Sequence, residues 1–430
     1  MSRRWLILLL LLRFVSCDVF AAQVPSDNNF GGDAILKIAV LTDVHYLSPE
    51  LAEKGKALSV FEESTGRITC ELHEVLHEVL SDLGKEVPQI LLVTGDLTNH
   101  GERQSHLGFI ELLTPLQKAG TRIFVIPGNH DVNIPDAVAY KGDVRKNEEG
   151  ISPDEFARLY GAFGYDEATR RDSTSLSYLA EIDEKTWLLA IDSNQHQEYR
   201  ISSLSAGRIR PETLEWALHI LRDAKERGVT VLGMMHHGLV EHMPYQEAFF
   251  SDYLVDNWKI QAERLADAGL RIVFTGHFHA NDITLFTSPA GNKIYDVETA
   301  SLAQYPFGYR IMQLQGKELS VDTRFITSIP GNPTLESESA RRLAVLTRRV
   351  AKHRLDTGAL PIPEGVRENL VEMIVQLNLM HVRGDEMLNP GLQELIASFA
   401  DMMGTEAETD SFVFDFPPAD NKVVLTIGED

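Results

Sequence analysis

From Ile35 to Phe325 the chain alternates short apolar runs with amphipathic stretches, and five of the apolar runs end in the same way. Ile38–Leu41 is followed by Asp43-Val44-His45, Ile90–Val93 by Gly95-Asp96-Leu97-Thr98-Asn99, and Ile123–Ile126 by Gly128-Asn129-His130-Asp131. Val229–Met234 leads into His236-His237, and Ile272–Phe274 into Gly276-His277-Phe278-His279. The alternation predicts an α/β sandwich. It also places each cluster at the C-terminal end of a strand, where open α/β sheets hold ligands. One Asp-x-His pair is explained as well by a buried structural aspartate. Core packing gives no reason for imidazoles and carboxylates at five such ends.

A further strand is expected at Trp187–Ile191, and helices over about Val60–Leu83, Ser105–Lys118, Pro211–Arg227 and Trp258–Ala268. Ser152 reads as the N-cap of another helix, with Pro153 at its first position. Ile283–Phe286, Lys293–Val297, Tyr309–Leu314 and Leu319–Phe325 read as a closing antiparallel run. The sharpest break is Ile329-Pro330-Gly331-Asn332-Pro333. Beyond it the pattern is helical over Glu336–His353, Gly365–Leu379 and Gly391–Met402, and the stretch after Gly404 is acidic and expected to be loosely held. Residues 35–328 are thus read as one α/β domain, and residues 331–430 as a small helical domain with an acidic tail.

Residues 1–22 carry the features of an export signal: Arg3 and Arg4, then an apolar run from Trp5 to Leu12 too short to span a bilayer. Val19-Phe20-Ala21 and Phe20-Ala21-Ala22 resemble signal peptidase sites, which would release a periplasmic or extracellular protein. Phe14-Val15-Ser16-Cys17 resembles an imperfect lipobox, which would leave a lipid anchor at Cys17. A faint twin-arginine pattern and an uncleaved anchor are the other readings. Two cysteines cannot build a disulfide scaffold, and Cys70 is read as an inert buried thiol.

Lys and Arg number 40 against 63 Asp and Glu, a formal net charge of -23. Such a surface repels polyanions and disfavours general nucleic-acid binding. A small phosphate ester could bind only where local positive charge overrides that field, and the clusters offer the means. Asp, His and Asn without Cys form a mixed oxygen and nitrogen donor set suited to divalent Zn, Mn, Fe or Mg. Seven such ligands are too many for one ion and enough for two that share a carboxylate. Paired ions lower the pKa of bound water and clamp both ends of an in-line phosphoryl displacement. The donor set therefore points to phosphate-ester hydrolysis.

These five clusters, in this order, resemble the calcineurin-like metallophosphoesterase superfamily, whose pattern is D-x-H, G-D, G-N-H-[DE], H and G-H-x-H. The resemblance implies a four-layer α-β-β-α sandwich. It implies that Asp43, His45 and His279 hold one divalent ion, that Asn129, His236 and His277 hold the other, and that Asp96 bridges them. His130 matches the histidine that contacts phosphate and assists the leaving group. Asn99 falls where many relatives carry an aspartate that orients that histidine; an amide accepts the imidazole hydrogen bond but stabilises its cation less. Asp131 is read as a tether for His130 or for a loop, and His237 as a near-site residue or a plain loop histidine.

Within the superfamily, the Gly95-to-Gly101 run lacks the arginine of phosphoprotein phosphatases and the tyrosine of purple acid phosphatases. The region after residue 331 is also unlike the large C-terminal domain of 5′-nucleotidases. Gly-Asp-Leu-Thr, Gly-Asn-His-Asp and Gly-His-Phe-His are most similar to class III cyclic-nucleotide phosphodiesterases, notably exported bacterial members with a C-terminal helical domain. The expectation is an exported phosphodiesterase of small esters in which a metal-bound hydroxide attacks phosphorus and His130 helps the leaving group depart. A phosphomonoesterase of the same superfamily is the first alternative. A non-catalytic envelope protein that binds metal or a partner is the second, disfavoured because no residue of the pattern is missing.

His73-Glu74-Val75-Leu76-His77 matches the H-E-x-x-H pattern of zinc proteases, but Leu72, Val75, Leu76, Val79 and Leu80 assign the opposite face of that helix to the core. His100, His106, His196, His219, His353 and His381 are read as surface residues. His242 and Tyr245 are read as stacking on a base or simply packing, and Arg208 and Arg210 as solvated.

Overall fold

The structure, a computed structural model, describes residues 34–244, 246–357, 364–387, 390–394 and 416–428. The signal-like segment with Cys17, Tyr245, most of the helix expected at Gly391–Met402 and most of the acidic tail lie outside the described residues.

β1 (Leu36–Leu41), β2 (Ile90–Val93) and β3 (Arg122–Val125) are apolar runs with hardly a polar residue, the composition of strands covered on both faces. They pair in parallel, Ile38 opposite Ile90 and Leu91 opposite Ile123. Amphipathic α2 (Leu72–Glu86) and α3 (Arg103–Lys118) make the crossovers and cover the outer face of this sheet. The second sheet is built around β8 (Thr186–Ile191), β9 (Thr230–Met235) and β10 (Ile272–Thr275), also parallel. α5 (Pro211–Arg227) and α6 (Trp258–Ala268) connect those strands. Alternation along them sets the layers. Leu188, Leu232 and Phe274 join Ile38, Val40 and Leu92 in the core between the sheets, whereas Trp187, Leu189, Val231 and Val273 meet Leu214, Leu221 and Leu265 of the helices. The result is the α-β-β-α sandwich expected from the sequence.

Several expectations are corrected. The single helix over Val60–Leu83 is two, α1 (Lys56–Thr65) and α2, because Gly66 turns left-handed at φ 79°. The closing run divides between the sheets. β11 (Asp282–Thr287) and β12 (Lys293–Glu298) complete the second, and β13 (Gly308–Gln315) and β14 (Glu318–Phe325) complete the first, β13 antiparallel to β1. The hairpin of β4 (Val138–Lys141) and β5 (Val144–Asn147), the edge strand β6 (Ala168–Arg171) and its neighbour β7 (Tyr178–Glu181) carry no readable alternation. Ser152 caps α4 (Pro153–Leu159), accepting the Glu155 amide at 3.2 Å. Cys70 is exposed rather than buried.

After the Pro-Gly break, α7 (Leu335–Thr357) and α8 (Glu364–His381) form a hairpin held by Arg348–Glu372 and Arg367–Asp356. The chain then returns as β15 (Lys422–Thr426), which adds to the edge of β14 with Leu425 opposite Leu319. That strand lies within the stretch expected to be loosely held. Among the described residues no helix is long and apolar enough to cross a membrane.

Candidate metal centre

The clusters occupy the loops at the C-terminal ends of the parallel strands of both sheets, so the sandwich brings them to one edge. The backbone there is bent against local preference. Asp43, His45, Asp96, His277 and His279 all have positive φ, between 46° and 74°. Each such non-glycine residue costs about 1 kcal/mol or more, and this kind of strain collects at functional sites. Glycines allow the close approach. A Cβ on Gly128 would lie 2.1 Å from Asp96 Oδ1, and one on Gly276 would lie 2.0 Å from Thr42 Oγ1.

The side chains form two groups that could each hold a metal ion, Asp43 with His45 and His279, and Asp96 with His236 and His277. His279 Nε2 is 3.1 Å from Asp43 Oδ1 and 3.2 Å from His45 Nε2. Asp96 faces both groups, its Oδ2 3.6 Å from His45 Nε2 and its Oδ1 3.5 Å from His236 Nε2. Asn129 Oδ1 meets His236 Nε2 at 3.2 Å. His236 Nδ1 lies 2.9 Å from the Thr94 carbonyl, which must accept; Nδ1 therefore carries a proton, and Nε2 is the nitrogen that faces the centre. Backbone amides hold the carboxylates, His130 N–H donating to Asp96 Oδ1 at 2.8 Å and His277 N–H to Asp43 Oδ2 at 2.8 Å.

The electrostatics of this pocket suit cations. Burial would lower His236, yet the carboxylates of Asp96 and Asp43 pull it up to about 9. Burial would raise Asp96, yet His236, His130 and His45 hold it well below the usual carboxylate range. Buried aspartates crowded by imidazole nitrogens are a donor set that a divalent ion satisfies.

The other expected residues fall into place differently. Asn99 does not meet His130; its amide lies 3.4 Å from Glu102 Oε1, and its side-chain oxygen accepts from Arg67 at 3.4 Å. The residue that meets His130 is His100, Nδ1 to Nδ1 at 3.0 Å, and His100 Nε2 lies 3.1 Å from Asp136 Oδ1. Asp131 is a loop tether: its carboxylate accepts the amides of Leu97, Thr98 and Gly128 and the Thr98 hydroxyl, joining two ligand loops. His237 uses both nitrogens away from the centre, on Ser193 Oγ and the Ser205 carbonyl.

Two contributors escaped sequence reading. Arg67 is a buried arginine whose charge is felt by Asp96, Asp43, His45 and His130; it reaches the centre because Gly66 breaks the expected helix. Arg208 and Arg210 instead bind Glu198, Asp256 and the Thr174 carbonyl. His100 was legible only as a neighbour of Asn99 in the second cluster. The surface readings of His106, His196 and His381 are overturned as well, since all three are buried. Each has a polar partner that offsets the cost of burial: His106 has Tyr160 and the Asp131 carbonyl, His196 has Asp192, and His381 has Glu386. His242 is enclosed beside Asp282, Asp296 and Glu298. His73 and His77 point to solvent, as expected.

The family model described as calcineurin-like phosphoesterase matches residues 36–281. A probable cyclic nucleotide phosphodiesterase of Pseudoalteromonas sp. is 23% identical over 313 residues, covering 69% of this chain and 95% of the relative. Among solved structures, a dimetal phosphatase from Danio rerio is 12% identical, with 67% of this chain and 96% of that one covered and a TM-score of 0.47. The NAD nucleotidase of Haemophilus influenzae is 11% identical, with 80% and 60% covered and a TM-score of 0.33.

Proposed function

The chain belongs to the calcineurin-like phosphoesterases, and from that premise we propose that it hydrolyses small phosphodiesters at a pair of divalent metal ions outside the cytoplasm, with cyclic nucleotides the first candidates. The observation that carries the reading is the convergence of two ligand groups on Asp96, whose two oxygens face His45 and His236. Asp43, His45 and His279 would hold one ion, and Asn129, His236 and His277 the other, with Asp96 between them. When bound, such ions lower the pKa of water and neutralise charge gathering on phosphoryl oxygens, and Mn, Fe, Zn or Mg would suit these donors.

The chain's own residues do the rest. Arg67 supplies a permanent positive charge at the buried edge of the pocket, suited to a non-bridging phosphate oxygen. His130 takes up a second proton from water on Nε2 and gives it to the leaving oxygen, returning to its neutral Nδ1–H form. Burial keeps His100 below its ordinary pKa, hence neutral, against the attraction of Asp136. With its Nε2 proton directed at Asp136, His100 Nδ1 is an acceptor. It therefore takes the His130 Nδ1–H and leaves Nε2 of His130 to face substrate. An alkoxide leaves poorly without that proton, which favours a diester substrate. The similarity to a relative named as a probable cyclic nucleotide phosphodiesterase supports the same choice. Export rests on the signal-like residues 1–22, ending in release or in a lipid anchor at Cys17.

The test is the rate of bis(p-nitrophenyl) phosphate hydrolysis relative to p-nitrophenyl phosphate on the manganese-loaded chain, followed by a cyclic-nucleotide panel. A diester preference is expected, with His130→Ala losing more on cyclic nucleotides than on the aryl diester. A monoester preference would move the reading to a phosphomonoesterase. Absence of metal-dependent turnover on every ester would refute it.

A further inference from the structure

Where the C-terminal helices meet the second sheet, the described residues bury another set of metal-competent side chains. Asp282 at the start of β11, His381 at the end of α8, and Glu386 just beyond each offer one ligand atom within 4.8 Å of the others. Asp282 and His381 are buried, and the Glu386 side chain keeps 1% of its exposure. One oxygen of each carboxylate is used. Glu386 Oε1 lies 2.6 Å from His381 Nδ1, and Asp282 Oδ1 accepts from His242 Nδ1 at 2.7 Å and from the Thr284 hydroxyl at 2.9 Å. The other oxygens, Glu386 Oε2 and Asp282 Oδ2, are buried with no hydrogen-bond partner, as is Oδ1 of the adjoining Asn281.

Buried polar atoms in folded proteins are nearly all paired, and a buried carboxylate oxygen without a donor is costly. The surroundings deepen the deficit. Asp296 and Glu298 are enclosed on the far side of His242, and Glu298 Oε2 is likewise unpartnered. The buried Arg310 donates to threonine hydroxyls and backbone carbonyls. Burial pushes Glu298 well above the usual carboxylate range in spite of His242. His242, which these carboxylates hold in its charged form, is one cation among four carboxyl groups, Asp282, Asp296, Glu298 and Glu386.

We propose that Asp282, His381 and Glu386 form a further divalent-cation site, separate from the Asp43-to-His279 centre, that ties the end of α8 to the start of β11. One imidazole and two carboxylates, without thiolate, suit zinc or manganese. The placement gives such an ion a structural task. The Asn281 amide donates to the His381 carbonyl at 3.3 Å, and the His381 ring stands 5.6 Å from that of Phe278, between His277 and His279. A cation here fixes the loop that carries two ligands of the metal centre against the C-terminal helices.

The full chain is stripped with a chelator, reloaded with zinc or manganese and desalted, and its metal per chain is counted by mass spectrometry alongside thermal unfolding. Parent, Glu386→Gln and an Asp43→Asn/Asp96→Asn double variant are compared. Glu386→Gln should carry one ion fewer than the parent. The double variant, whose Asp282 cluster is intact, should keep one ion and show a metal-dependent rise in Tm of several degrees, and adding Glu386→Gln should abolish both. A double variant that retains no ion and melts identically with and without zinc overturns the proposal, as does a Glu386→Gln protein holding as many ions as the parent. If Glu386→Gln fails to fold, the double variant alone decides. A parent that binds a single ion, kept by the double variant, would refute the paired centre while leaving this site standing.

Discussion

Replacing His100 with alanine leaves His130 without the acceptor that fixes its Nδ1 proton, 3.0 Å away. The lost bond is to a group that must be cationic before it can give a proton to the leaving oxygen, and bonds to charged groups contribute about 1.5–3 kcal/mol. The His100 side chain is only 14% exposed, so water replaces it poorly and the upper half of that range applies. At about 1.4 kcal/mol per tenfold, kcat/KM should fall about 40- to 140-fold where departure needs a proton. The assay is a series of phosphodiesters whose leaving groups run from p-nitrophenol through phenol to an alkyl alcohol. Loss should be small at the first and grow along the series, steepening the dependence of rate on leaving-group pKa. His100→Gln keeps an acceptor and should recover most of the loss. Asp136, 38% exposed, acts through His100, and Asp136→Asn should cost less. An equal loss on every leaving group would mean that His100 merely shapes the pocket, and no loss anywhere would sink the relay.

Burial lowers His106 to about 3 from its ordinary 6.5. The stability linked to its neutral form is therefore complete above pH 6.5 and is lost as pH falls towards 3, about 2 kcal/mol of it between pH 6.5 and 5. Urea unfolding at those two pH values should show His106→Gln losing less than the parent by about that amount, and parallel losses would contradict it. Gly128→Ala pushes a methyl group onto Asp96 Oδ1; calorimetric titration of the folded variant should find metal affinity down at least about tenfold, and unchanged affinity would show that the loop yields. Arg67→Met removes a buried cation that no other residue replaces, and should raise KM for anionic diesters about tenfold or more, whereas a change confined to kcat would assign Arg67 to the chemical step instead.

The layers of the fold were legible because parallel strands announce themselves as apolar runs and their crossovers as amphipathic helices. Both α5 and α6 begin and end where periodicity and flanking residues place them, at Pro211–Arg227 and Trp258–Ala268. The edges were not. β4 to β7 are four-residue strands with little apolar alternation, and β15 is recruited by pairing with β14 rather than by its own sequence. Short edge strands are defined by a partner's hydrogen bonds, which no local pattern encodes.

The same division runs through the site. Residues whose place is set by a strand end could be found from the pattern, and the resemblance to the superfamily pairs His45 with His279, 234 positions apart in sequence and 3.2 Å apart in space. Residues that act across elements could not. Asp136 reaches His100 from the turn after the third cluster, and Arg67 reaches the centre from a broken helix. Asn99 had the better motif position and the wrong geometry, because its amide is spent on Glu102 and Arg67. The left-handed backbone at Asp43, His45, Asp96, His277 and His279 is a conformation that few non-glycine residues adopt, aspartate and histidine more often than most. A chain under selection for stability alone would place glycine or asparagine at such turns. Aspartate and histidine persist there at an energetic cost, which is the sign expected of a site that receives compensating free energy from what it binds.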